Sequence, residues 1–236
     1  VGNYRPVSIL SIMSKMFERV VYDQVETYFK ENKLFYEFQS GFRSGFSTNT
    51  CLVHLTDYIR LEMDKGNYIG MILLDLQKAF DTVDHSILIM KLQAAGLGDD
   101  IIKWFTSYLS DRKQLVDVFC TFSTCQSVTC GVPQGSILGP LLFLIYVNDM
   151  SAVVKNKLLL YADDSGILVS GKNKSQIETS LSDGLNTVSR WLINNKLSLH
   201  LGKTESILFG SKHKLKSNPN LHISCNGCNI ESNVIC

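Results

Sequence analysis

The sequence predicts an α+β fold, an antiparallel sheet packed on helices, and three observations carry that expectation. Several stretches repeat apolar residues every three or four positions, the period of a helix with one apolar side. Others are short apolar runs of strand length, bounded by Gly, Asn or Asp and in places paired across turn-forming residues. The two kinds are mixed without a regular βαβ repeat, which disfavours a doubly wound sheet. With 236 residues, 45% of them hydrophobic, the chain can bury a substantial core as one domain or two closely packed subdomains.

Residues 11–32 carry Met13, Met16, Phe17, Val20, Val21, Val25 and Phe29 at helical spacing, the stripe of an amphipathic helix. A second helix is expected over 48–63, with Leu52, Leu55, Ile59 and Met63 on one face, and the Gly-punctuated segment 39–45 is the loop between them. Residues 68–74 are a continuous apolar run between Lys65-Gly66-Asn67 and Asp75, a buried strand that delivers Asp75 to its end. Helices follow over 86–95 and 99–110, separated by Gly96-Leu97-Gly98. Residues 114–119 and 126–130 pair as a hairpin, after which Gly131, Gly135, Gly139 and Pro140 mark a turn-rich loop entering a helix over 141–149. The runs 157–161 and 166–169 form a hairpin with Asp163 and Asp164 at its tip. A long helix bearing Ile177, Leu181, Leu185, Val188 and Leu192 precedes a second hairpin, 197–201 with 205–209, whose turn holds Gly202-Lys203-Thr204. Residues 211–220 are the one expected linker, and 221–230 a last hairpin.

Composition removes several classes of function. The net charge of +1 provides no bulk attraction for nucleic acid, so such binding would need a localised basic surface. No apolar run reaches the ~18 residues of a membrane span, and no membrane partner is expected. The chain opens without Met, which suggests a fragment, and without a basic start or an apolar stretch, so no signal peptide is expected. Seven cysteines, an odd number without scaffold spacing, point to reduced thiols and an intracellular protein. Cys225 and Cys228 form a CxxC, but Asn226-Gly227 between them favours a hairpin turn over a zinc site. Trp104 and Trp191 lie on apolar helical faces, where core packing outweighs base stacking. His85, after Asp84, is placed to begin a helix rather than to act as a base. A phosphate loop at Gly202-Lys203-Thr204 is rejected because Leu197 occupies the position of its first glycine.

Chemistry gathers around the acids. A shared sheet would bring Asp75, Asp163 and Asp164 to one edge, and three carboxylates in one place repel unless cations neutralise them. Hard oxygen ligands select Mg²⁺, with Mn²⁺ as a possible substitute, and two such ions would serve in-line phosphoryl displacement. Taken singly, each Asp is more often a turn residue or a helix cap.

The surrounding residues raise that weight. Tyr161-Ala162-Asp163-Asp164 resembles the YADD box of reverse transcriptases, and Asp75-Leu76-Gln77-Lys78-Ala79-Phe80-Asp81 resembles their first palm motif. Gly131-Val132-Pro133-Gln134-Gly135-Ser136 is similar to the loop-to-helix motif between those two. Tyr4-Arg5-Pro6-Val7-Ser8 and Gln39-Ser40-Gly41-Phe42-Arg43 resemble finger motifs of the non-LTR retrotransposon class, LINE-like and of jockey or CR1 type; Leu201-Gly202-Lys203-Thr204 resembles the later palm motif with its lysine. The set occurs in family order over nearly the whole chain.

The resemblance implies a right-hand polymerase, fingers and palm without the thumb: fingers over 1–66, palm over 67–82, helices and a hairpin over 83–124, palm again over 125–210, and a linker with a C-terminal hairpin over 211–236. It implies Asp75 and Asp163 as principal metal ligands, Asp164 as second acid of the box, and the Leu76 carbonyl as a further ligand. Phe80 matches the steric gate against a sugar 2′-hydroxyl; a core aromatic is the competing role. Gln134 and Gly135 resemble the floor of the nucleotide and template site, Lys203 a proton donor near the leaving pyrophosphate, and Arg5, Lys15 and Arg43 neutralise the triphosphate. The implied activity is RNA-directed DNA polymerisation, with an RNA template, a DNA primer and deoxynucleoside triphosphates as partners, an upstream endonuclease domain in the full-length protein, and a nuclear site of action. An RNA-templated RNA polymerase is disfavoured by Phe80 and by Ala162 before the paired acids. A non-catalytic element-derived fragment that binds RNA or a protein is the alternative from another class.

Overall fold

The computed structural model describes residues 7–211, 215, 220–225 and 227–235. In chain order its elements are α1 (Ile12–Glu31), α2 (Thr48–Asp64), β1 (Tyr68–Leu74), α3 (His85–Ala94), α4 (Asp99–Leu109), β2 (Lys113–Gln114), β3 (Asp117–Val118), β4 (Thr121–Phe122), β5 (Gln126–Ser127), α5 (Leu138–Val147), α6 (Met150–Val153), β6 (Lys157–Tyr161), β7 (Asp164–Gly171), α7 (Lys174–Asn194), β8 (Glu205–Phe209), β9 (Ser224–Cys225), β10 (Cys228–Asn229) and β11 (Glu231–Ile235). Helix ends follow capping chemistry. Ser11 accepts the Ser14 N–H to open α1, Ser47 and Thr50 form a capping box on α2, and Asp84 caps α3 through the Ile87 N–H.

The chain divides into two compact units, each built from two separated stretches: Val1–Leu34 with Phe80–Val147, and Phe35–Ala79 with Asn148–Cys236. The expected fingers and palm ranges cut the chain elsewhere, since 35–66 groups with the second unit.

In the first unit α5 is the core helix. Every residue of it except Pro140 is buried, as an all-apolar helix requires. The stripe read from α1 is only partly the buried side: Val25 and Phe29 are buried, whereas Met13, Met16, Phe17 and Val20 are exposed and Glu18 is buried. The reason is local. Glu18 accepts the Ile137 N–H (2.7 Å), just ahead of α5, and the Tyr108 hydroxyl (2.9 Å), so a carboxylate satisfies a donor that the helix start leaves open. Burial and then the Glu18 charge push the Tyr108 hydroxyl pKa upward. Of the hairpin expected between 114–119 and 126–130 only one end pairs, β2 with β5 through Gln114↔Gln126; Asp117–Val118 pairs instead with Thr121–Phe122, β3 with β4.

The second unit is a five-stranded sheet in the order β11-β8-β1-β7-β6, antiparallel except for the edge pair β11 and β8, which is parallel. Helices cover both faces of central β1. Leu55, Tyr58, Ile59 and Met63 of α2 pack against Ile69 and Met71, while on the other face a Cβ at Gly70 would lie 2.5 Å from Ile177 and 2.6 Å from Leu181 of α7. Burial on both faces is why β1 reads as an unbroken apolar run. One expected strand is absent: 197–201 does not pair with 205–209. Its backbone meets the chain after β1, where Gln77 N–H donates to Ser198 O (2.9 Å) and His200 N–H to Asp75 O (2.8 Å), and Leu201–Lys203 is a 3-10 turn. A long-range partner displaced the local hairpin. The expected linker lies largely outside the described residues.

Candidate active site

The strand ends that carry the acids lie side by side at one end of the second unit's sheet. β1 and β7 pair in antiparallel register through Leu74↔Ser165, and β6 and β7 through Tyr161↔Asp164. Continued by one residue, the first register sets Asp75 opposite Asp164, where antiparallel Cα atoms lie about 4.5–5.5 Å apart and side chains share a face. Asp163 occupies the two-residue turn with Ala162. On the other flank the β1–β8 register, continued past Leu73↔Glu205, leads to Lys203, whose Nζ lies 3.5 Å from Asp75 Oδ2. Three acids and the lysine, widely separated in sequence, thus end on neighbouring strands.

Two backbone features shape this end. Leu76 bridges Leu199 between the hydrogen bonds of its neighbours, so its carbonyl points away from that segment. Ala162 adopts φ +58°, a left-handed conformation that costs a non-Gly residue about 1–2 kcal/mol and persists only where its surroundings impose it.

Among the described residues no three His, Cys, Asp or Glu side chains form a group that could hold a metal ion. The donor set nevertheless suits Mg²⁺, which binds through one or two carboxylates and completes its octahedron with water and substrate phosphates rather than in an all-protein cage.

The other expected site residues fall in different settings. In the first unit, the Phe80 ring stacks on Phe143 with centroids 4.5 Å apart and planes 29° apart. The following loop is tied to the Phe80 stretch, because Val132 N–H donates to Phe80 O (2.8 Å) and Gly131 N–H to Val83 O (2.7 Å). Gln134 Nε2 donates to Asp81 Oδ1 (2.8 Å), and the Gln134 carbonyl accepts the Ser8 N–H (2.7 Å). Gly135 has φ +109°, and a Cβ there would sit 2.9 Å from the Ser8 carbonyl oxygen, so no other residue fits without displacement. Lys15 is exposed on α1. Arg5 lies outside the described residues.

Arg43, in the second unit, has commitments of its own. Its Nη1 donates to the Tyr36 and Gln39 carbonyls, both at 3.0 Å, and its guanidinium lies over the Phe35 (5.1 Å) and Phe46 (4.3 Å) rings. Asp81 and Glu18 were not singled out from sequence. Asp81 had a signal, as the second acid of the stretch that Asp75 opens; Glu18 had only its position as a lone acid beside an apolar stripe. Trp191 is buried in α7, the core role expected of it, whereas Trp104 is half-buried and stacks on Tyr108 of its own helix. His85 begins α3 as expected, its Nε2 2.8 Å from the Gly131 carbonyl. Cys225 and Cys228 face each other across β9 and β10.

A mostly antiparallel sheet with helices on both faces of its central strand is the architecture of a polymerase palm. The family described as reverse transcriptase (RNA-dependent DNA polymerase) matches residues 1–223. The chain belongs to that family. It is 33% identical over 222 residues to the probable RNA-directed DNA polymerase from transposon BS of Drosophila melanogaster, a match covering 89% of this chain and 24% of that protein. Against the RNA-directed DNA polymerase from mobile element jockey of Drosophila funebris it is 29% identical over 217 residues, with 89% and 24% covered. The chain therefore spans about a quarter of these relatives. Among solved structures, telomerase from Candida tropicalis in complex with a fragment of telomeric RNA superposes with a TM-score of 0.61 at 15% identity, covering 93% of this chain and 36% of that one; this likeness concerns the fold.

Proposed function

We propose that the chain forms the polymerising centre of a retrotransposon protein that copies RNA into DNA, extending a DNA primer with deoxynucleoside triphosphates. The observation that supports this is the strand register, which continues from Leu74↔Ser165 to Asp75 and Asp164 with Asp163 in the adjoining turn, together with the Lys203 Nζ 3.5 Å from Asp75 Oδ2. Asp75 and Asp163 would hold Mg²⁺, or Mn²⁺ in its place, with Asp164 and the Leu76 carbonyl as additional oxygen donors. When bound, the divalent ions lower the pKa of the primer hydroxyl and neutralise charge on the leaving group.

The chain's own groups supply selection and proton handling. Phe80, its ring fixed by Phe143, excludes a 2′-hydroxyl by occupying the space it would need. Gln134, oriented by Asp81, and Gly135, held against Ser8, line the floor for base and template. Lys203 carries three donors on a flexible stem and protonates the departing pyrophosphate. Lys15 and Arg5 offer positive charge to the triphosphate. In the full-length protein an endonuclease would supply the primer end, and the reaction would take place in the nucleus.

Primer extension on an RNA template tests this. Asp75→Asn and Asp163→Asn remove a charged ligand while keeping its shape, and each is expected to reduce extension by at least about a hundredfold with the fold intact by circular dichroism. Extension at wild-type rate in either variant rules the assignment out. Template binding without extension in the wild type, even with the flanking sequence restored, would leave a non-catalytic RNA-binding remnant.

A further inference from the structure

Gln39 is a polar side chain in the second unit that the proposed chemistry does not use, and it is 2% exposed. Its Oε1 accepts two backbone donors, Gly41 N–H at 2.8 Å and Ala162 N–H at 3.2 Å. Because both partners are N–H groups, the acceptor must be the amide oxygen, which fixes the orientation of the amide. The Nε2 is buried with no hydrogen-bond partner among the described residues. A buried amide that leaves its own donor unsatisfied in order to hold a backbone N–H elsewhere marks a place where the held group matters.

The held group is the residue before Asp163. The Gln39 backbone is itself fastened to the hairpin: Leu160 N–H donates to Phe38 O (3.0 Å), Ser40 N–H donates to Leu160 O (2.9 Å), and Gln39 bridges Leu160 in parallel. Gly41 then lies directly on the turn. A Cβ at that position would be 2.1 Å from Ala162 N and 2.8 Å from both Ala162 Cα and Tyr161 C, closer than any side chain allows. The Arg43 fork on the Gln39 carbonyl and its stacking on Phe46 fix the loop that presents both residues. Ala162 has no intrinsic preference for φ +58°; the two-residue turn requires a positive φ at this position, and Gln39 and Gly41 hold it there from one side.

We infer that Gln39 is a positioning residue for the metal-binding acid Asp163, its amide oxygen and the bare face of Gly41 together locking the Ala162 backbone and so the direction in which the Asp163 carboxylate points. This rests on the reading of Asp163 as a metal ligand. Neither Gln39 nor Gly41 is assigned a contact with substrate; both act through the turn.

The test is direct Mn²⁺ binding to the 236-residue chain by electron paramagnetic resonance, with melting temperature measured in parallel. Gln39→Met keeps the side chain's length and removes the acceptor. Its Mn²⁺ affinity is expected to fall about tenfold, as loss of one well-placed hydrogen bond would produce. Ala162→Gly removes the preference against a positive φ without touching Gln39. If Gln39→Met alone does not fold, the comparison moves to Gln39→Met/Ala162→Gly against Ala162→Gly, where the same tenfold loss is expected. Equal Mn²⁺ affinity in the relevant pair overturns the inference, even if the melting temperature drops, because a merely structural amide would change stability and not affinity. Asp163→Asn separates the two levels. If that variant binds Mn²⁺ as tightly as wild type, the metal role of Asp163 has failed; if it binds weakly while Gln39→Met binds normally, only the positioning role of Gln39 has failed.

Discussion

Phe80 and Arg43 show how one side chain can be asked to do two things. The stack of Phe80 on Phe143 satisfies the core-aromatic role and fixes the ring, which is also what a rigid gate needs. Phe80→Ala is expected to raise the ratio of ribonucleotide to deoxynucleotide kcat/KM by tenfold or more and to cost about 2 kcal/mol of stability from the lost ring. A destabilised enzyme with an unchanged ratio would leave Phe80 as packing alone. For Arg43 the geometry points inward: Nη1 donates to two carbonyls and the guanidinium lies over two aromatic rings. Arg43→Lys, which keeps the charge and loses the planar fork, is expected to destabilise the chain by about 1–2 kcal/mol with the KM for deoxynucleotides unchanged. A raised KM at constant stability would restore the expected triphosphate contact.

At the scale of elements, α2 ends on a carboxylate that helix electrostatics alone would disfavour. Glu62 is buried near the C-terminus of the helix, and it is held ionised by Lys65 Nζ (2.6 Å), Asn67 Nδ2 (2.7 Å) and Ser170. These bonds lower its pKa to about 2 from an ordinary 4.5. The folded value is depressed, so the contribution is fully present above 4.5 and is lost as the pH falls toward 2. Denaturant midpoints at pH 7 and pH 3 are expected to differ less for Glu62→Gln than for wild type, and an identical pH dependence in the two would remove Glu62 from the account. α5 depends on a second buried acid. Glu18→Ala strands the Ile137 N–H and the Tyr108 hydroxyl and is expected to cost about 3 kcal/mol in equilibrium unfolding.

For the molecule as a whole, a net charge of +1 means that the proposed template binding would rely on where the cations lie and not on their sum. Ion binding should be visible in global stability. A ligand at ten times its dissociation constant stabilises by about 1.4 kcal/mol, so Mg²⁺ is expected to raise the melting temperature of the wild type and to leave that of Asp163→Asn nearly unmoved. An equal rise in both would place the ion elsewhere. Each of the two units is assembled from stretches far apart in the chain, so neither is one continuous segment.

The sequence by itself determined the elements whose cause is local. α1, β1 and α7 are legible from apolar spacing, and the ordered motifs make Asp75, Asp163, Asp164 and Lys203 candidates. Tertiary structure alone decided which partners those elements take. It exposed Met16 and Phe17 and buried Glu18, because the start of α5 offers an N–H to a carboxylate. It diverted 198–200 from a local hairpin to the chain after β1, added β11 in parallel at the sheet edge, and set Gln39 and Gly41 against the turn that carries Asp163. Spacing and turn chemistry act between near neighbours in the chain and can be read there; hydrogen bonds and close contacts between distant residues exist only once the backbone has brought them together.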